Sequence, residues 1–144
     1  MDYDVLSPEV KKPEYSGKTP QQIADILNAM TATKPDPGRK SLLSVIEKLD
    51  DAGTIITKLD AVAVSNAVLK EGLAAARSYQ PDSGIDFTHP RTVAMFDTLV
   101  ASSVLTQAEA DGLKSVGTQP CTLADSLGLS FVHPGHVESA LAMP

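Results

Sequence analysis

The sequence predicts an all-α fold: a compact bundle of about six or seven helices, with a long central helix and an irregular N-terminal arm. Three observations carry this. Apolar side chains recur at i, i+3, i+4 and i+7, the spacing that gathers them on one helix face. Helix-start signatures recur, as in Thr19-Pro20-Gln21-Gln22 and Thr106-Gln107-Ala108-Glu109. No stretch alternates apolar and polar residues for long, so strands are expected to be minor at most.

The chain has 144 residues, about one domain's worth. Residues 1–18 are expected to form the arm and 19–144 a single α-helical domain, with loops near 32–39 and 80–89. Aromatic residues make up 4%, with three Tyr, three Phe and no Trp, so the core must be aliphatic.

In the arm, Pro8, Pro13 and Gly17 oppose a long helix. Ser7-Pro8-Glu9 can start one turn, with Ser7 as N-cap and Pro8 in the first helical position. Tyr3, Val5, Leu6 and Tyr15 make the arm too apolar for a pure linker. It packs on its own domain or docks on something else, and both options stay open.

Thr19 opens the next helix as N-cap, with Pro20 first and Gln22 completing a capping box. Ile23, Ile26, Leu27 and Met30 form its stripe. Residues 33–38 hold two Pro and one Gly, which predicts an irregular loop. A helix from about Lys40 to Asp50 carries Leu42, Val45, Ile46 and Leu49. The longest segment, Thr54 to Ser78, shows Ile55, Leu59, Val62, Leu69 and Leu73 on one face. Asn66 and Gly72 interrupt it, which leaves room for two collinear helices. A loop follows over 80–89, with Ile85 or Phe87 as its anchor to the core.

Pro90 starts the next helix, with Val93, Phe96, Leu99, Val100 and Val104 on its stripe. Thr106 opens another, which stops at Gly117. Thr122 caps one turn from Leu123 to Leu127, ended by Gly128. Pro134 starts the last helix, running through Val137 and Leu141.

Twelve basic and eighteen acidic residues give a net charge of −6. Residues 1–79 carry −1 of this and residues 80–144 carry −5. Such a chain is poorly suited to a phosphate backbone, so no direct nucleic-acid partner is expected. No apolar run approaches the roughly 18 residues of a membrane span, and no membrane partner is expected. The acidic N-terminus lacks the apolar run of a secretory signal, which predicts synthesis in a cytoplasm.

Chemistry-bearing motifs are absent. There is no phosphate-binding glycine loop, no GxSxG elbow and no SxxK. His133 and His136 form the one close histidine pair, and a metal would need a third ligand such as Asp125 or Cys121. Cys121 is a single thiol, which excludes an intrachain disulfide. A nucleophilic cysteine needs a positioned histidine, and nothing in the sequence places His89, His133 or His136 beside it. The expectation is no enzyme, no catalytic residue, no cofactor and no metal. Lys34, Arg39 and Lys40 read as a solvated basic loop. Tyr3, Tyr15 and Tyr79, with Val5 and Leu6, are the candidate partner-binding residues, because tyrosine joins contact area to a polar tip.

The run from Lys12 to Gly17 leading into Thr19-Pro20-Gln21-Gln22-Ile23-Ala24-Asp25-Ile26-Leu27-Asn28 resembles the opening of a family of small proteins encoded by tailed bacteriophages. His89-Pro90-Arg91-Thr92-Val93 through Leu99-Val100, then Val104-Leu105-Thr106 and Ala110-Asp111, is similar to a second block of that family. Ser126-Leu127-Gly128-Leu129 and Gly135-His136-Val137 resemble its tail. The likeness excludes about residues 34–83, and its motifs are caps, stripes and turns. Genes of the family tend to lie near tail and fibre genes. The resemblance implies a non-catalytic structural or accessory protein of the virion, made in the host cytoplasm. Its implied partners are other virion proteins of the tail, tail tip, baseplate or head surface, with a homo-oligomer in the particle as a further option. It transfers no functional residue. The alternative is a phage-encoded inhibitor or adaptor acting on a host protein through the acidic C-terminal half.

Overall fold

The computed structural model describes residues 1–78, 80 and 83–144. Among them lie nine α-helices, one 3-10 turn and four short strands. The strands are β1 (Ala32–Pro35), β2 (Arg39–Lys40), β3 (Ile85–Asp86) and β4 (Thr118–Cys121). β1 pairs with β4, and β2 pairs with β3. The fold is therefore mixed α/β and corrects the all-α expectation. The reason is physical. Strands of two to four residues are too short to display a period of two. β1 and β4 also contain Pro35 and Pro120, which read as loop. In a two-stranded sheet each strand is an edge, and an edge tolerates proline.

The chain divides into two compact units, Met1–Lys34 with Pro120–Pro144, and Pro35–Gln119. The expected boundary at residue 18 has no counterpart in this division.

In the first unit, α1 (Tyr3–Val10) replaces the expected irregular arm. Asp2 starts it: its carboxylate accepts from the Asp4 N–H at 3.1 Å. Ser7 is not the cap. It lies inside the helix, and its hydroxyl donates to the Ala140 carbonyl at 3.0 Å. The 3-10 turn Pro13–Tyr15 follows, then α2 (Pro20–Asn28) with the expected capping box. Later come α8 (Leu123–Ser126), capped by Thr122 as expected, and α9 (Pro134–Ala142). Leu6, Val10, Tyr15, Ile23, Leu27, Val132 and Val137 build this core. The Asn28 side chain clamps Val132, donating to its carbonyl at 2.7 Å and accepting from its N–H at 3.0 Å.

In the second unit, α3 (Leu42–Lys48) leads to α4 (Ala52–Ala63) and α5 (Ala67–Arg77). The expected long central helix is broken at residues 64–66. Asn66 turns from helix interior to cap, its side chain accepting from the Leu69 N–H at 3.1 Å. α4 and α5 pack on each other, so they are not collinear. α6 (Pro90–Ala101) and α7 (Gln107–Val116) complete the unit, each starting as the caps predict. The expected loops hold β1 and β3, and Phe87 beside β3 is buried in the core.

Two glycines hold β3 close to its neighbours. Gly84 has φ +127°, and a Cβ there would lie 2.5 Å from the Lys40 carbonyl oxygen. A Cβ on Gly117 would lie 2.9 Å from the Phe87 Cβ. Only glycine permits the first approach, both for its φ and for its space. Gly84→Ala is expected to lower stability by about 1–3 kcal/mol, measured by urea unfolding of the full chain. An unchanged midpoint would show that β2 and β3 are not held this closely.

Candidate functional site

The second unit encloses a cleft of about 440 Å³. Its walls come from five helices, β2 and β3. α3 supplies Leu42 and Val45, and α4 supplies Ile56 and Leu59. α5 supplies Val68, Leu69, Gly72 and Leu73. Ile85 and Phe87 come from β3 and its end, Met95 and Phe96 from α6, and Leu113 from α7. The Phe87 and Phe96 rings lie 5.9 Å apart at 33°. Packed cores leave few voids larger than a water molecule. This space is about three times the ~150 Å³ apolar cavity that takes up benzene.

Gly72 sits mid-helix on this wall. A Cβ built there meets nothing nearer than the Ile85 Cδ1 at 3.9 Å. Sterics do not demand glycine, and a mid-helix glycine costs roughly 0.5–1 kcal/mol against alanine. Its missing side chain is part of the open space.

The polar lining is Arg39, Glu71, Asp86, His89, Arg91 and Thr92. The Asp86 carboxylate accepts from the Thr88 hydroxyl at 2.6 Å and the Thr88 N–H at 2.9 Å. These bonds hold it below the usual aspartate range. His89 is the N-cap of α6: its Nδ1 accepts from the Arg91 N–H at 3.1 Å. The Arg91 guanidinium makes no hydrogen bond or ion pair among the described residues. The lining contains no serine, cysteine or lysine.

The residues singled out from sequence lie elsewhere. Leu6 and Tyr15 are buried in the core of the first unit. The Tyr15 hydroxyl donates to the buried Glu9 carboxylate at 3.1 Å. Burial, then that bond, pushes Tyr15 up to about 12. Tyr3 and Val5 are half-buried, and the Tyr3 ring sits edge-on to His136 at 6.5 Å. Tyr79 lies outside the described residues.

The His133 and His136 rings are 5.3 Å apart, and the His133 N–H donates to His136 Nδ1 at 3.2 Å. Among the described residues no group of three ligands forms. Cys121 is buried. The expected basic loop is not a free one. Lys34 pairs with Asp125 at 2.7 Å, Lys40 pairs with Asp36 at 2.8 Å, and Arg39 lies in β2 opposite Asp86.

The cleft gave almost no signal in sequence. Its walls come from seven separate elements, and only Gly72 stood out within its helical pattern.

The acidic C-terminal half is not a structural unit. Residues 80–119 belong to the second unit and 120–144 to the first. Glu109 holds Lys58 at 2.7 Å, Asp97 holds Lys114 at 2.6 Å, and Asp125 holds Lys34. Asp111 accepts from Gln107 at 2.9 Å.

Comparison with known protein families, with curated proteins and with solved structures finds no match to this chain.

The Lys58–Glu109 pair joins α4 to α7 and makes a pH prediction. The Lys58 ammonium, then the Thr106 N–H, holds Glu109 below its ordinary 4.5. A carboxyl depressed in the folded state stabilises fully above its unfolded value, and loses that contribution as pH falls through the folded one. Glu109→Gln keeps the side chain's shape, so unfolding midpoints measured downward from pH 4.5 should fall less steeply than in the parent. Parallel curves would remove the pair from the account.

Proposed function

We propose that this chain is a non-catalytic structural or accessory protein that attaches to other proteins of a tailed-phage virion, at the tail, tail tip, baseplate or head surface. One observation supports attachment most. α3 is apolar on both sides: Leu42 and Val45 are buried, while Leu43 and Ile46 stand 48% and 53% exposed. Beside Ser44, Glu47 and Lys48, this leaves two large apolar side chains exposed together on one side of α3. The exposed pair sits one turn apart, the spacing of anchors that a partner groove receives. The virion setting comes from the phage resemblance.

The inhibitor reading has less support. It requires the acidic half to present one face. Glu109, Asp97 and Asp125 of that half already hold lysines of this chain.

Mass spectrometry of density-banded virions, with copy number, tests the reading. The parent chain is expected at a stoichiometry set by the particle's symmetry. A Leu43→Glu, Ile46→Glu double variant, shown folded by circular dichroism, is expected to fall about tenfold in copy number, as for loss of an interface anchor. A chain absent from particles yet abundant in infected cells would overturn the reading.

A further inference from the structure

We propose that the cleft of the second unit binds a single-chain amphiphile with an anionic headgroup, of the fatty-acid class. This stands apart from the protein-partner reading, which concerns the outer face of α3.

The size fits. At about 440 Å³ the cleft falls within the roughly 300–1,000 Å³ of small-molecule sites. Its interior is aliphatic and aromatic, from Leu59 and Leu69 to Phe96, and suits an alkyl chain. Water in such a space finds few hydrogen-bond partners.

Gly72 adds an independent sign. The wall of α5 is left without a side chain where a Cβ has room, at a cost to the helix. Stability given up at a site is a common mark of function.

Charge selects the headgroup. Arg91 lies in the first turn of α6, where the helix dipole disfavours a cation. It has no partner among the described residues. Arg39 lines the same cleft from β2, and His89 caps the same helix end. Asp86 stays ionised beside Thr88 and lies opposite Arg39 in the β2–β3 pair, and Glu71 on α5 is the lining's other carboxylate, so the site for an anionic headgroup is the Arg91 end of α6. An anionic headgroup at the α6 end would meet the Arg91 guanidinium and the positive end of the helix together.

The test is calorimetric titration of the full chain with dodecanoate, dodecanol and dodecyltrimethylammonium, each below its micelle concentration. Dodecanoate is expected to bind once per chain and to raise the unfolding temperature. Dodecanol should bind roughly tenfold more weakly, and the cation more weakly still. Arg91→Gln should remove the preference for dodecanoate and leave dodecanol unchanged. Gly72→Leu should fill the cleft and abolish binding of both, and Gly72→Ala should raise the unfolding temperature without ligand. Methyl NMR of the parent is a readout independent of any variant's folding. Shifts on dodecanoate addition should concentrate on Leu59, Leu69, Ile85 and Met95. The Leu43→Glu, Ile46→Glu variant should bind dodecanoate as the parent does, which separates this proposal from the previous one. No saturable dodecanoate binding, equal binding of the cation, or shifts confined to other residues would overturn it.

Discussion

The cleft of the second unit depends on β3 being held at two points of close backbone approach. Gly84 lets the backbone beside β3 lie against the Lys40 carbonyl, and Gly117 lets the end of α7 lie against Phe87. Between these points Ile85 and Phe87 become a fixed wall. Five helices of seven to twelve residues close the remaining sides. With no Trp and few aromatic side chains in the chain, the core is mostly aliphatic, and around Gly72 it does not fill the space.

Helix starts that carry their own cap signature were legible in sequence because capping is local, whereas the starts at Asp2 and Asp51 were not. Thr19, Thr106, Thr122 and Pro90 each open the element their neighbours predict. The strands were not legible, because β1 and β4 find each other across more than eighty residues of chain. Their two or four residues carry no period. The division into two units was equally hidden. In the first unit the N-terminal helices meet the C-terminal part of the chain by contacts such as Ser7 to Ala140 in α9 and Asn28 to Val132 just before it. Sequence spacing shows that α1 is apolar; it does not show that its partner is α9.

Asn66 shows the same limit at closer range. In sequence it is a weak point in a long apolar pattern. In the structure it is a cap, and the chain turns there so that α4 and α5 pack on each other. That turn contributes Leu59 from one helix and Leu69, Gly72 and Leu73 from the other to one cleft. The candidate site was invisible for this reason: it is a property of how short helices meet. Tyr15, one of the tyrosines read from sequence as an interface anchor, instead satisfies buried Glu9 of its own unit.

The central claim is that the second unit holds an open apolar space. A crystal of the full chain under xenon pressure tests it most directly, because xenon enters apolar cavities without needing a headgroup. Xenon density among Leu59, Leu69, Gly72 and Phe96 is the result expected. A crystal in which these side chains meet and no xenon binds would contradict the account.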